Sequence, residues 1–538
     1  MQGLMMDYPL TIPAILHRAD TIYGHKPIIT RLPDKSIHRY TYSAMALRSR
    51  KLSAALQKLG ILKGDRVATL SWNHYQHLET YFAVPSIGAV LHTLNLRLSP
   101  DDLSYIITHA EDKVIIVDQV LLPLYDKFKS KIKIDHLIVI PQTGQPIPEG
   151  ALDYEKLISS ADEKMFVPFN GDEHTAAAMC YTSGTTGNPK GVLYSHRSVV
   201  LHSMASSFAD GLGLKESDTM LPVVPMFHVN AWGLPFTCTL LGTAQVLPGP
   251  YLDAVSLLDL LEKENVTITA GVPTIWLGIL NELDTHPGKY KLSSLRMMVV
   301  GGAAAPRSMI VGFEERHGLN VLHAWGMTET SPVGSISFLA KELQNQPKET
   351  QYNYRAKQGL PACFVEVRGR NENGLIRWDG ETMGELEVRG PWVARSYYNS
   401  TDMDDRFTED GWFKTGDIVT IEANGYIEIK DRSKDVIKSG GEWISSVSLE
   451  GAIMGHPAVA EAAVFAIPDA KWQERPMACV VLKPGKSATH DEIIRFLEPQ
   501  YTKIQLPDKI EFVTEIPKTS VGKFKKSALR ELYKHMGS

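Results

Sequence analysis

For most of its length the chain alternates between short apolar runs and helix-patterned stretches, and this rhythm limits the possible folds more than any single residue does. KVIIVD (113–118) and HLIVI (136–140) are branched apolar runs without polar alternation, as expected for strands buried on both faces. SPDDLSYIITHAED offers Ser99 as N-cap, Pro100 at the first helical position and acids in the first turn, with Leu103, Ile106 and Ile107 on one face. SLLDLLEKEN reads as a helix, VTITAGV (266–272) as a strand, the stretch from Pro273 as a helix and LRMMVV (295–300) as a strand. Strands and helices repeating in this order predict parallel sheets covered by helices. At 538 residues the chain is too long for one hydrophobic core, so two or more domains are expected.

The pattern changes twice further on. After about residue 355, GELEVRGPWVARSYY reads as strand, and IVTIEANGYIEI as a hairpin about a two-residue Asn424-Gly425 turn. From about residue 435, SVSLEGAIMGH and HDEIIRFLEP read as helices and VAEAAVFAI, ACVVLK and KIEFV as strands. The expected fold is α/β. Residues 1–433 form a large N-terminal domain of helix-covered mixed or parallel sheets, with a β-rich subdomain at about 355–433. Residues 434–538 form a small α+β domain. The join is the short charged segment IKDRSKDVIKSGG.

Several classes are disfavoured. The net charge is −5, from 56 Lys and Arg against 61 Asp and Glu, which does not suit a general nucleic-acid binder. Cys180, Cys238, Cys363 and Cys479 are far apart and form no CxxC pair, which argues against a disulfide framework or zinc site and suits a reducing cytoplasm. The N-terminus has no basic residue before Arg18, unlike a signal or transit peptide. No run reaches the roughly 18 apolar residues that a spanning helix needs. A cytoplasmic protein without a transmembrane segment is expected.

The strongest local signal is YTSGTTGNPKG (181–191), with three glycines, four hydroxyl residues besides the tyrosine, and one lysine. Glycines let backbone N–H groups approach oxyanions, hydroxyls add donors and Lys190 adds a point charge. That chemistry suits a triphosphate held by Thr182, Ser183, Gly184, Thr185, Thr186, Gly187 and Lys190. The spacing is not that of a Walker A loop.

HAWGMTETSP (323–332), GELEVRGP (384–391), GWFKTGDI (411–418), DRSKDVIKSGGEWIS (431–445) and PKTSVGKFKK (517–526) follow in order. With the 181–191 segment, they make the chain resemble the adenylate-forming superfamily of acyl-CoA synthetases, luciferases and peptide-synthetase adenylation domains, from about residue 40 to 530. The resemblance implies an ATP-dependent carboxylic acid–CoA ligase that uses Mg²⁺. It forms acyl-AMP and pyrophosphate, then acyl-CoA and AMP. By the same resemblance Trp325 flanks the adenine, with Gly326, Met327, Gly302, Ala303 and Ala304 nearby. Thr328 contacts the α-phosphate, and Glu329 binds the metal together with Thr185. Asp417 takes the ribose hydroxyls, Arg432 adds contacts to ribose or phosphate, and Lys523 stabilises the charge that builds up as the acid attacks. The C-terminal domain rotates about Lys434 between the two steps, bringing Ser439, Gly440 and Gly441 to the pantetheine tunnel.

The acid side follows from LPVVPMFHVNAWGLPF (221–236) and VGGAAAP (300–306). The resemblance makes His228 a residue that changes posture between steps, and likens Trp232 to an indole gate on a fatty-acid tunnel. Gly301, Gly302, Ala303, Ala304 and Ala305 have almost no side-chain volume and leave room for an acyl chain, and Gly326 after Trp325 adds no blocking bulk. No acidic residue lies between Pro222 and Phe236 to hold a substrate amine, which disfavours an amino-acid substrate. The expected substrate is a medium- or long-chain fatty acid. An aryl-acid–CoA ligase, or a fatty acyl-AMP ligase serving a carrier protein, is the alternative. By resemblance alone the chain is a homodimer.

Overall fold

In the computed structural model the apolar runs become strands whose side chains are buried on both faces. The structure describes all residues except Gln2, 183–187, 401–404, 440–441, 519–523 and 537–538. Among the described residues the chain builds four sheets. In a seven-stranded sheet, His136–Ile140, Asp112–Asp118, Arg66–Leu70, Val90–Thr93 and Ala176–Tyr181 run parallel in that spatial order. Gly191–Ser195 then closes the edge antiparallel to Ala176–Tyr181, with Tyr181 opposite Gly191. The YTSGTTGNPKG segment therefore joins two paired strand ends.

A nine-stranded sheet has Val321–Gly326, Met297–Val300, Ile268–Gly271, Thr219–Pro222, Ala244–Leu247 and Pro27–Arg31 parallel at its centre and antiparallel strands at both edges. Helices Ile12–Tyr23, Tyr42–Lys58 and Tyr75–Ser86 share one buried core with strands of both sheets, including Val67, Leu91, Ile28 and Leu247. The helix Pro100–Ala110 starts as its sequence predicts, with the Ser99 hydroxyl accepting from the Asp102 N–H at 3.1 Å.

The β-rich section is a five-stranded sheet whose paired neighbours run antiparallel. Two local expectations change. Strands Phe413–Ile421 and Ile427–Arg432 do form a hairpin, but Glu422 N–H also bonds to the Tyr426 carbonyl, leaving a three-residue loop in which Gly425 alone takes positive φ, +88°. That is a tight turn closed by a left-handed glycine, not a two-residue turn. The GELEVRGPWVARSYY strand stops at Arg389, because Pro391 has no N–H to continue a ladder.

Beyond residue 435, strands Val459–Asp469 and Gln473–Leu482 pair along their lengths, and Lys509–Phe512 adds in parallel. Helices Ser446–Met454 and His490–Leu497 pack on them around Ile437, Leu449, Ile453, Val464, Val480, Ile493 and Leu497. This small C-terminal domain thus has a core of its own. Among the described residues no helix is long and apolar enough to cross a membrane.

Candidate active site

Thr182 and Lys190 hold the two ends of the glycine-rich segment together. The Thr182 N–H donates to the Lys190 carbonyl at 2.9 Å, and the Lys190 N–H donates to the Thr182 hydroxyl at 3.2 Å. Ser183, Gly184, Thr185, Thr186 and Gly187 lie outside the described residues. The Lys190 ammonium stands 4.8 Å from the centre of the Tyr397 ring, a cation–π distance. The hydroxyl of that tyrosine donates to Glu329 Oε1 at 2.6 Å. Tyr397 thus links the phosphate-type loop to the carboxylate expected to meet a metal.

Glu329 lies on a short turn, Thr328–Thr330, that follows strand Val321–Gly326. Gly326 permits this turn, because a Cβ there would sit 1.8 Å from the Pro332 carbonyl oxygen. Thr328 and Glu329 are buried, and their carbonyls accept from the Tyr194 hydroxyl at 2.7 Å and the Ala394 N–H at 2.7 Å. Just upstream, the Trp325 indole N–H donates to Asp417 Oδ2 at 3.0 Å, and Arg432 Nε pairs with Asp417 Oδ1 at 2.9 Å. One oxygen of the buried Asp417 is thereby set by an indole and the other by a guanidinium. A carboxylate has about four lone-pair sites, so both oxygens can still accept from a diol.

The acid-side segment is not ordinary core. Val229, Asn230, Ala231 and Trp232 all take positive φ, from 45° to 58°, and Gly233 continues at 72°. A left-handed turn costs L-residues about 1–2 kcal/mol each, and such strain is typically kept at working sites. The turn lays the Trp232 ring on the glycine wall, where a Cβ on Gly301 would come within 2.9 Å of it and one on Gly302 within 3.8 Å. Nothing in the sequence pattern announces this turn.

These groups meet in one cleft of about 1600 Å³. Thr182, Lys190, Trp325, Met327, Thr328, Glu329, Asp417, Arg432 and Lys434 line it together with His228, Trp232, Gly301, Gly302, Ala303, Ala304 and Gly326. The C-terminal domain supplies the opposite side through Phe524, Lys525, Lys526 and Arg530. Lys526 was not singled out from the sequence. Its ammonium reaches Glu450 Oε1 at 2.8 Å and the Ser446 hydroxyl at 2.5 Å, while Asp431 accepts from Ser446 N–H at 2.6 Å. Burial disfavours the Lys526 ammonium, but the Glu450 and Asp431 carboxylates outweigh it and hold its pKa above the usual lysine value.

Lys523, Gly440 and Gly441 lie outside the described residues. Ser439 is buried away from the cleft, accepting from Arg475 Nη1 at 3.1 Å. Tyr397, Tyr194 and Arg406 went unnoticed in the sequence. Arg406 lines the cleft and donates to the carbonyls of Lys414 at 2.7 Å and Thr415 at 2.9 Å.

Among the described residues no three His, Cys, Asp or Glu side chains gather as a metal-holding group. Mg²⁺ commonly takes one or two protein carboxylates and fills its shell with phosphate oxygens and water. Glu329 is the carboxylate in position beside Lys190 and Tyr397.

Comparison with known proteins agrees with this geometry. Residues 16–398 match the AMP-binding enzyme family, and residues 448–523 match the AMP-binding enzyme C-terminal domain. A long-chain-fatty-acid–CoA ligase of Thermus thermophilus is 49% identical over 534 residues, covering 99% of this chain and 97% of the relative. A medium-chain-fatty-acid–CoA ligase of Ectopseudomonas oleovorans is 42% identical, covering 99% and 98%. A 3-methylmercaptopropionyl-CoA ligase of Ruegeria lacuscaerulensis is 43% identical, covering 99% of each. Among solved structures, an anthranilate CoA ligase in complex with anthranoyl-AMP superposes with a TM-score of 0.88 at 26% identity, over 98% of this chain and 99% of that one.

Proposed function

The chain belongs to the AMP-binding enzyme family and is an ATP-dependent acid–CoA ligase, and we propose that the acid it activates is a medium- or long-chain fatty acid. In the first step a carboxylate oxygen attacks the α-phosphorus of ATP, giving acyl-AMP and pyrophosphate. In the second, the CoA thiol attacks the acyl carbonyl, AMP leaves and the thiol proton is lost.

The site residues take the following roles. Lys190 and the 182–187 segment hold the phosphates. Asp417, fixed by Trp325 and Arg432, accepts from the ribose hydroxyls, and Trp325 flanks the adenine. Thr328 meets the α-phosphate. Glu329 and Thr185 hold Mg²⁺, which when bound neutralises phosphate charge. Lys523 stabilises the charge that gathers as two anions approach. The mobile unit is 434–538 and turns about Lys434, which lies exposed between two separately packed cores.

What supports the fatty-acid reading most is the acid side of the cleft. Gly301 and Gly302 form a wall with no side chains, covered by the Trp232 indole, with Val272 also against Gly302. Movement of that ring opens space for a chain, and no carboxylate stands between Pro222 and Phe236 to bind an amine.

A pyrophosphate-release screen over aliphatic and aryl acids, with and without CoA, tests this. Apparent affinity should rise with chain length by roughly 0.8 kcal/mol per buried methylene, about fourfold, until the pocket ends. Best turnover on benzoate or 3-methylmercaptopropionate, with none on longer aliphatic acids, would contradict the substrate assignment.

A further inference from the structure

We propose that Asn73 is the positioning residue of the acid site. Its side chain holds the strap 222–227 in the register that sets His228 at the cleft. The proposal rests on the reading that His228 and Trp232 border the acyl pocket.

The strap begins in one sheet and is fastened to the other. Thr219–Pro222 is a strand of the nine-stranded sheet, and the N–H groups of Val223 and Val224 still bond to the Ala270 carbonyl. There the ladder ends. Asn73 comes from the loop that leaves strand Arg66–Leu70 of the seven-stranded sheet. Its Nδ2 donates to the carbonyls of Pro222 at 3.0 Å and Val224 at 2.9 Å. Its Oδ1 accepts the Met226 N–H at 2.7 Å.

The chain bends at Val224 and turns where the His228 N–H donates to the Pro225 carbonyl at 3.0 Å, and this folding gathers the backbone groups of 222, 224 and 226 around one amide. The primary amide satisfies all three backbone groups where the sheet ladder has ended. It suits the task because it carries two donors and an acceptor on one planar group. A carboxylate of the same shape accepts but cannot donate to the two carbonyls.

The anchor is itself fixed. Asn73 is 2% exposed, and its own carbonyl accepts the Gly249 N–H at 2.9 Å. Trp72 N–H and His74 Nε2 both reach Asp118, at 2.9 and 2.7 Å. Tyr81, on the neighbouring helix, donates to the Met226 carbonyl. His228 follows Met226 by two residues and opens the left-handed turn that carries Trp232. Releasing the strap therefore moves the acid site first and leaves Trp325, Asp417 and Lys190, on other segments, in place.

The test uses the full-length chain and compares wild type with Asn73→Asp, Tyr81→Phe, His228→Ala, Trp232→Ala and the double variant Asn73→Asp/His228→Ala. The probe is octanoate or palmitate, whichever the wild type turns over faster. Asn73→Asp should raise the KM for the acid at least tenfold and leave the KM for ATP within twofold. The double variant should lose no more than the more impaired single variant, because both act at one place. If Asn73→Asp does not fold, Tyr81→Phe gives the same readout, with an acid KM raised about threefold and the ATP KM unchanged. Equal rises in both KM values, or losses that multiply in the double variant, would overturn the proposal. If His228→Ala and Trp232→Ala leave the acid KM untouched, the pocket assignment has failed and takes the strap claim with it. If they raise it and neither strap variant does, only the strap claim fails.

Discussion

Tyr397 connects two parts of the site that the motifs present as separate. Its ring faces the Lys190 ammonium and its hydroxyl holds Glu329. A hydrogen bond to a charged group contributes about 1.5–3 kcal/mol, so Tyr397→Phe should slow acyl-AMP formation by roughly ten- to a hundredfold. The ring remains, so the KM for ATP should stay near wild type. Pyrophosphate release at saturating acid measures both, and an unchanged rate would remove Tyr397 from the site. Trp232→Ala should alter chain-length preference more than ATP affinity, and identical acid profiles for variant and parent would defeat the gate. Trp325, Glu329 and Asp417 were legible because each sits in a short motif with its neighbours. Tyr397 was not, because its partner lies 68 residues away and only the folded chain brings them together. Asn73 was hidden for the same reason, since its partners are backbone groups of a distant segment.

At the level of elements, buried neutral histidines lock several helices into place. His196, the first residue of helix His196–Ser207, accepts the Ile12 N–H, and His202 on the same helix accepts the Val333 N–H. His77 lies within helix Tyr75–Ser86. Burial pushes the pKa of His77 down to about 3 and those of His196 and His202 down to about 4. An unfolded histidine titrates near 6.5, so below that pH the unfolded chain binds protons that the folded chain refuses. Stability is therefore full above about pH 6.5 and falls as pH drops toward 4, by up to about 1.4 kcal/mol per pH unit for each histidine. Urea midpoints between pH 7.5 and 5 check this, and a flat or rising midpoint on acidification would refute it. The regular elements were well marked by apolar period and caps, as with Ser99 and Pro273. The left-handed turn 229–233 was not, because local propensity opposes it and only contacts with the glycine wall and neighbouring strands hold it.

At the level of the whole molecule, the C-terminal domain meets the large domain through Asp431, Ser446 and Lys526, immediately before and beyond the proposed pivot. Rotation about Lys434 must break the Asp431–Ser446 bonds. Asp431→Ala should therefore change the two half-reactions unequally, whereas loss of fold alone would lower them together. A homodimer, carried by the family resemblance, predicts sedimentation at twice the chain mass. The order of domains was readable because hydrophobic patterning changes where the architecture changes. The choice of Lys523 from the basic tail rests on motif spacing alone, because that residue lies outside the described ones. The central claim is that one cleft, shared by a fixed nucleotide site and a moving domain, performs two chemically distinct steps with different residues. Measuring both half-reactions in Lys523→Ala tests it most directly. Acyl-AMP formation should be abolished while thioester formation from supplied acyl-AMP stays near the parent rate, and equal loss in both would contradict it.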